Sequence, residues 1–176
     1  MDWLVSVLHF SIIVSACDPY GLERETKKKY LTQIIKHAEE QQQDPYELLA
    51  IAITESSLNP KAYSHTRDTG LFQVNCKWWY KKFKYANIKQ CERAMLDPTT
   101  NITKGIYILN SFRSRYKQCR GDLAYHCYNG GQGWPRSRNK DKILNYGKKV
   151  KERKKMLHKY YRGLIEQIRA ELKSRS

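Results

Sequence analysis

The chain has few acidic residues: 17 Asp and Glu stand against 33 Lys and Arg in 176 residues, which leaves a formal net charge of +16. It also lacks the C-x-x-C and H-x-x-x-H spacings that are typical of zinc sites. We therefore predict neither a metal nor a cofactor. The excess of positive charge predicts an anionic partner, such as a cell wall or its attached polymers, an acidic membrane surface or nucleic acid. Charge alone does not choose among these three.

Long apolar runs are also scarce. The first sixteen residues, MDWLVSVLHFSIIVSA, are apolar but too short to span a bilayer comfortably, so they are better interpreted as a secretory signal. The sequence Val14-Ser15-Ala16-Cys17 is similar to a bacterial lipoprotein signal, which would make Cys17 the lipidated first residue and attach the protein to the inner membrane. Against this, the start contains Asp2 and no Lys or Arg. The alternative is a buried or virion-embedded apolar N-terminus.

A length of 176 residues fits one domain with a sizeable core. Apart from Cys17, the cysteines form an even set, as expected of disulfides in a protein that works outside the cytosol. They are Cys76, Cys91, Cys119 and Cys127. Pairing of neighbours, 76 with 91 and 119 with 127, is our first prediction among three connectivities, and four buried free thiols are the alternative.

The stretch from Asp44 to Asn75 organises the rest of the chain. Asp44 and Pro45 are typical of a helix start, and the apolar residues that follow recur three and four positions apart. Glu55 then falls in the last turn of this helix. The negative end of the helix dipole and the preceding apolar residues both disfavour its ionisation, so we expect a raised pKa, as a general acid needs.

Two further helices are predicted from apolar periodicity. Residues 23–43 form an amphipathic pattern that should pack beside the Glu55 helix, and a helix should start at Asp97-Pro98 and run to about Lys117. Between them lies an aromatic cluster, whose members we expect to divide between core packing and stacking on the ring of a ligand. The cluster is Trp78, Trp79, Tyr80, Phe83 and Tyr85.

Three motifs carry a resemblance to a known family. They are Glu55-Ser56-Ser57-Leu58-Asn59-Pro60, Gly70-Leu71-Phe72-Gln73 and Tyr128-Asn129-Gly130-Gly131. Each is weak alone, but in this order they resemble the pattern of the soluble lytic transglycosylases, lysozyme-like enzymes that cleave the glycan strands of peptidoglycan. The likeness covers roughly residues 28–155 and is greatest to members associated with conjugation or secretion machines and to phage-borne members. Asn101 and Gly105 also match, the glycine permitting close helix contact.

This resemblance implies a mainly helical, lysozyme-like single domain over residues 18–155. It would be preceded by the apolar segment 1–17 and followed by a basic amphipathic helix over residues 156–176. Glu55 would be the catalytic acid, oriented by Ser56, and Gln73 would contact the sugar or its N-acetyl group. Tyr128, Asn129 and Tyr146 would complete the pocket wall, with residues 129–133 in a loop that cannot be helical.

The resemblance also implies the reaction. In such enzymes one carboxyl group suffices, because the muramyl 6-hydroxyl attacks its own anomeric carbon and leaves a 1,6-anhydro sugar without hydrolysis. Asp68 supports an alternative, since animal-type lysozymes carry a second carboxylate in a similar position, and hydrolysis by a muramidase would then be possible. A third hypothesis is a non-catalytic protein that binds murein or DNA, against which the intact Glu55 argues.

The last part of the chain is the most basic. Residues 136–176 hold fifteen Lys or Arg against four Asp or Glu, so they carry eleven of the sixteen net charges. The apolar stripe of the final helix favours docking on its own domain, while its basic face suits an anionic surface, a protein partner or, less favoured, nucleic acid. The expected location is the periplasm or cell envelope, or a phage virion that delivers the enzyme there.

Overall fold

A computed structural model describes residues 18–174. The signal or lipoprotein segment and Cys17 lie outside the described residues. The elements in chain order are α1 (Glu25–Glu40), α2 (Pro45–Ser56), β1 (Asp68–Thr69), β2 (Val74–Asn75), α3 (Cys76–Trp79), α4 (Ile88–Ala94), α5 (Pro98–Arg115), α6 (Leu123–Gly130), α7 (Lys140–Tyr160) and α8 (Arg162–Ser174). The fold is therefore mainly helical, as predicted.

Helix α2 lies at the centre of the core. The Asp44 carboxylate caps it by accepting a hydrogen bond from the Tyr46 backbone amide at 2.9 Å, and every residue from Pro45 to Ile53 is buried. A helix that is apolar on all sides must be covered on all sides. Helix α1 packs on it with its buried stripe, as predicted, and α7 makes the most extensive contact with it.

One buried charge on α2 is fully paired. The carboxylate of Glu47 accepts two hydrogen bonds from the Arg113 guanidinium, at 2.5 and 2.8 Å, and a third from the Tyr125 hydroxyl at 2.6 Å. Because a buried carboxylate is costly unless it is paired and hydrogen-bonded, these contacts connect α2 firmly to α5 and α6.

The two short strands form an antiparallel hairpin, in which Asp68 pairs with Asn75. The buried Asn101 side chain on α5 holds its turn, donating to the backbone carbonyls of Thr69 and Met95 and accepting from the Phe72 amide. Gly105, one turn further along α5, lies so close to Phe72 that a Cβ atom there would be 2.5 Å from its ring. The predicted close contact at Gly105 therefore exists, but with the hairpin turn rather than with another helix.

Both predicted disulfides are present, Cys76–Cys91 and Cys119–Cys127. The first joins α3 to α4 beside the hairpin, and the second joins the turn after α5 to α6. A disulfide that closes a loop of about fifteen residues contributes on the order of 3 kcal/mol in the chain-entropy model. Each one stabilises a segment next to the cleft described below.

The prediction that residues 129–133 form a loop was wrong in part. Helix α6 continues through Asn129 and Gly130, and the chain leaves the helix at Gly131, which has a φ of +72°. A Cβ atom on Gly130 would lie 2.4 Å from Ile143 of α7. Because Gly130 has no side chain, α7 can approach α6 closely at this position.

The basic tail docks on its own domain. The boundary predicted after residue 155 falls inside α7, and the chain instead bends at the buried Tyr161. The Tyr161 hydroxyl donates to Asp18 at 2.5 Å and accepts from the Tyr20 amide. Ile165 and Ile168 of α8 are buried, and α8 packs on α1. Within residues 18–174 no helix is long and apolar enough to cross a membrane.

Candidate active site

Glu55 lies in the last turn of α2, at the point where Ser57 adopts a left-handed conformation with a φ of +53° and ends the helix. Its side chain is partly buried, and its Oε1 atom accepts a hydrogen bond of 2.6 Å from the Tyr146 hydroxyl of α7. The pKa of Glu55 is raised to about 7. Burial is the largest cause of this shift, the hydrogen bond from Tyr146 lowers the pKa, and the charge of Asp68 raises it. The raised pKa confirms the prediction, with burial as the main cause.

Two tyrosines stand beside this carboxyl group. The Tyr128 hydroxyl donates to the Phe72 backbone carbonyl at 2.7 Å, and the Tyr146 hydroxyl donates to Glu55. Burial raises the pKa of both phenols well above 10, so both remain neutral donors at neutral pH. Both hydroxyl groups therefore donate hydrogen bonds in a fixed direction next to Glu55, one to the Phe72 carbonyl and one to Glu55 itself.

Asp68 lines the same cleft as Glu55. Its carboxylate accepts hydrogen bonds from the hydroxyls of Ser64 and Thr66 and from the Asn75 amide, the last at 2.6 Å. The two carboxyl groups thus have different surroundings, one apolar and one polar. Three side chains hold the Asp68 carboxylate in place, whereas the Glu55 carboxyl group accepts one hydrogen bond, from Tyr146.

Gln73 also lines the cleft, with a positive φ of +45°. Its amide nitrogen donates to the carbonyls of Gly70, at 2.9 Å, and Ala62, at 3.2 Å. Because these bonds use both N–H groups, the amide oxygen is the atom of Gln73 that remains for a ligand in the cleft. Contact of Gln73 with a sugar or its N-acetyl group stays a prediction.

Ser56 does not hydrogen-bond Glu55 in the way that we predicted. Its hydroxyl donates instead to the backbone carbonyl of Leu71 at 2.9 Å, with Ala52 as a second acceptor at 3.2 Å. The physical reason is that Ser56 follows Glu55 by one position, about 100° around the helix, and faces the hairpin turn. Ser56 therefore connects the end of α2 to the turn that carries Gln73.

The cleft has a volume of about 760 Å³. Asn129 is exposed on its wall, and the predicted aromatic cluster divides at its edge. Trp79 stacks on Phe83, with ring centroids 5.7 Å apart, whereas Trp78 is 73% exposed. Trp79 therefore belongs to the packed layer, whereas Trp78 is exposed at the cleft, with the Lys77 ammonium group 5.2 Å from its ring centroid.

Several cleft residues were not predicted from the sequence. Asn75 holds Asp68, and Ser111, Arg115 and Lys142 lie on the cleft wall. Ser111 and Arg115 lie four positions apart on α5, and Lys142 lies four positions before Tyr146 on α7. Such spacings show which residues share a helical face, but they do not show which faces meet at the cleft. Across residues 18–174, no cluster of three or more His, Cys, Asp or Glu side chains could hold a metal ion.

Comparison with known proteins places these motifs in context. Residues 32–154 match the family model described as Transglycosylase SLT domain. Among solved structures, the 70 kDa soluble lytic transglycosylase Slt70 from Escherichia coli superposes with a TM-score of 0.57 at 22% sequence identity, over 73% of this chain. The chain spans 24% of the length of that protein, so the likeness shows a shared fold. No curated protein matched the sequence.

Proposed function

We propose that this chain, which belongs to the transglycosylase SLT domain family, cleaves the glycan strands of peptidoglycan without hydrolysis. The bond cut would be the β-1,4 bond from N-acetylmuramic acid to N-acetylglucosamine, and the product would carry a 1,6-anhydro end. The observation that carries the proposal is Glu55, a carboxyl group with a pKa of about 7 in a cleft of about 760 Å³. A group with that pKa is protonated and deprotonated in comparable amounts near neutral pH, as an acid that later acts as a base requires.

The first step is proton donation. Tyr146 occupies Oε1 of Glu55, so the proton to be donated is on Oε2. Transfer of this proton to the glycosidic oxygen allows the bond from the anomeric carbon to that oxygen to break, and the bonding electron pair leaves with the oxygen. The negative charge that remains on Glu55 is stabilised by the Tyr146 hydroxyl.

The second step is ring closure. The 6-hydroxyl oxygen of the muramyl residue attacks its own anomeric carbon, which is positively charged in an oxocarbenium-like state, and Glu55 takes the hydroxyl proton. The acid is thereby regenerated. The oxygen of the Gln73 amide and the exposed Asn129 side chain would hold the sugar during both steps, and Tyr128, bonded to Phe72, would fix the wall behind it.

One observation favours a second function, that of a muramidase. Asp68 lines the same cleft, and its charge contributes to the raised pKa of Glu55. In a retaining hydrolase, the second carboxylate attacks the anomeric carbon or stabilises its positive charge. The three side chains that hold Asp68 favour a fixed electrostatic role over attack, because a nucleophile must give up such bonds.

Product analysis separates the two reactions. Purified sacculi are digested with the wild-type protein, and the soluble muropeptides are analysed by mass spectrometry. A transglycosylase yields anhydro ends, each lighter by one water than the reducing end that a muramidase yields. Anhydro ends support the proposal, and reducing ends alone would overturn it. If the Asp68→Asn variant keeps full activity, the reaction does not need a second carboxylate at this position, and the muramidase hypothesis is excluded as well.

The biological setting that we propose is local opening of the cell wall in the periplasm or cell envelope, for a phage or for a conjugation or secretion apparatus. The charge distribution supports this setting, since residues 136–176 carry eleven of the sixteen net positive charges and would be drawn to anionic wall polymers. Release of muropeptides from sacculi that retain their anionic polymers should exceed release from sacculi stripped of them. Equal release would argue against a role for this charge.

A further inference from the structure

His126 is a buried titratable residue that the proposed reaction does not use. It lies in the middle of α6, and only 7% of its surface is exposed. Its ring lies beside the Trp134 ring, with the two centroids 4.6 Å apart. The Nδ1 atom of His126 is buried and has no hydrogen-bond partner among residues 18–174. Because an unpartnered buried polar atom is costly, its presence in a folded protein calls for an explanation.

The Nε2–Cδ2 edge of the same ring contacts α7. A Cβ atom on Gly147 would lie 2.3 Å from Nε2 and 2.6 Å from Cδ2 of His126, so the absence of a side chain at Gly147 allows the ring to pack on the α7 backbone. Gly147 directly follows Tyr146, whose hydroxyl donates to Glu55 at 2.6 Å. His126 therefore supports the part of α7 that positions the partner of the catalytic acid.

The surroundings of His126 favour the neutral ring. Its pKa is lowered from the usual value of 6.5, with burial as the largest cause. From α7 the Lys151 ammonium group lowers the pKa further, and from the start of α6 the Asp122 carboxylate raises it. These two groups form an ion pair of 3.0 Å, so their effects oppose each other. The turn Trp134–Arg136 contributes the uncharged indole ring of Trp134 to the contact, and burial therefore decides which form of His126 is stable.

Protonation would change the contact between α6 and α7. The imidazolium ring carries a desolvated charge and an N–H group on each nitrogen, and the N–H on Nδ1 has no acceptor among the described residues. The ring gains solvation only by moving away from Gly147. Close-packed interiors transmit such a shift, and a displacement of about 1 Å near a catalytic group is sufficient to lower a rate by about 10²-fold.

We propose that His126 is a positioning residue of this enzyme. The neutral ring holds α7, and with it Tyr146, next to Glu55, and protonation of the ring releases this contact and stops the reaction in acid. The inference rests on the proposed function, because it takes Glu55 as the acid. The reaction then needs a neutral His126 and a protonated Glu55 at the same time, so its pH range has an acid limit below 6.5 and an alkaline limit near 7.

The pH profile of muropeptide release from sacculi, measured from pH 4 to 8, tests the proposal. On the acid side of the optimum, kcat/KM of the wild-type protein should fall by about tenfold per pH unit below a midpoint under 6.5. The H126Q variant has a side chain of similar reach that does not titrate. It should remain active at the optimum and lose the acid limb of the profile.

H158Q is the matched control. His158 is an exposed histidine of α7 that stacks on Tyr46 and does not line the cleft. Its replacement removes a titrating imidazole from the same helix as Tyr146 without touching the contact at Gly147. H158Q should therefore keep the acid limb at the wild-type midpoint, and circular dichroism across the pH range shows whether each protein stays folded.

Two NMR titrations of the wild-type protein do not depend on cleavage. The first follows the His126 ring, assigned by triple-resonance experiments, and its midpoint should coincide with that of the acid limb. The second follows fluorotyrosine at position 146, assigned from Tyr146→Phe. This resonance should show one transition near pH 7 from Glu55 and a second at the His126 midpoint, and the second should be absent from H126Q.

Any of four results would overturn the proposal: an acid limb that is absent from the wild type or persists in H126Q, one that H158Q removes as well, a His126 midpoint that differs from that of the limb, or a Tyr146 resonance that does not respond when His126 titrates. If H126Q does not fold, the two wild-type titrations still decide. Failure of the proposed function is recognised separately, because the wild-type protein would then release no muropeptides at any pH while both titrations could still be measured.

Discussion

The Tyr146 hydroxyl donates a hydrogen bond of 2.6 Å to Oε1 of Glu55 and so joins α7 to the end of the central helix α2. The bond lowers the pKa of Glu55, in opposition to burial, which raises it to about 7. Tyr146 therefore adjusts the balance between the two protonation states that the proposed reaction uses in turn.

The first prediction concerns pH. Because the protonated form of Glu55 starts the reaction, kcat/KM should fall as the pH rises through about 7. Tyr146→Phe removes the bond that lowers this pKa, so the alkaline limb of the profile should move to higher pH. We also expect kcat to fall about tenfold or more, since a hydrogen bond to a charged group is lost. The measurement is muropeptide release from pH 5 to 9.

A matched variant separates this effect from a loss of packing. The Tyr128 hydroxyl donates to the Phe72 backbone carbonyl and not to Glu55. Tyr128→Phe should therefore leave the midpoint of the alkaline limb in place, whatever it does to the rate. If both variants shift the midpoint equally, the link from Tyr146 to the pKa of Glu55 is wrong.

The second prediction concerns stability. Glu55 keeps its proton to about pH 7 in the folded protein, against a usual pKa near 4.5. Between these values the folded state binds more protons than the unfolded state, so the free energy of unfolding should fall as the pH rises. Glu55→Gln removes this dependence and should stabilise the protein at pH 8 by on the order of 1 to 3 kcal/mol. Urea unfolding at pH 5 and pH 8 gives both values, and a variant less stable than wild type at pH 8 would contradict the account.

The third prediction tests the contact between α5 and the hairpin turn. In Gly105→Ala the new Cβ atom would lie 2.5 Å from the Phe72 ring, so the protein should lose about 1 to 3 kcal/mol of stability. Gly163→Ala is the control, because it lies in α8 with no atom within 4 Å of the new Cβ. It should stabilise the protein by up to about 1 kcal/mol through helix propensity. Thermal unfolding compares the two variants.

The sequence was sufficient to predict much of the fold. Helices α1, α2 and α5 follow from apolar periodicity and from the caps Asp44 and Asp97, both of which accept the expected backbone hydrogen bonds. The position of Glu55 at a helix end also follows from local sequence, and so does the direction of its pKa shift, although burial is the main cause of that shift. Each of these inferences depends on residues close together in the chain, where the geometry of a helix determines which side chains are neighbours.

The rest depends on contacts between distant segments. The partner of Ser56 is Leu71, and the helical Gly130 is explained by Ile143 of α7. Arg115 and Lys142 line the same cleft only because α5 and α7 both contribute to it. Spacing along the chain carries no information about which faces meet, so these features required the structure.

The fourth prediction concerns the exposed ring of Trp78 at the cleft. Trp78 is 73% exposed, and removing its ring should cost the stacking energy of one sugar residue. We expect Trp78→Ala to lower kcat/KM about fivefold, in line with the energy of about 1 kcal/mol for an aromatic contact, and to change stability little. Tyr160→Ala removes another exposed aromatic ring, outside the cleft, and serves as the control. An equal loss in both variants would exclude a specific role for Trp78.

The central claim is that one proton on Glu55 drives the cleavage of peptidoglycan. It is tested most directly by release of soluble fragments from dye-labelled sacculi, measured side by side for the wild-type protein and for Glu55→Gln, which keeps the size of the side chain but cannot donate that proton. We expect the wild type to release dye and the variant to be slower by about 10² to 10⁴, the contribution of a general acid–base group. Equal release by the two proteins, whether fast or slow, would contradict the account, and slow release by both would favour a binding protein over an enzyme.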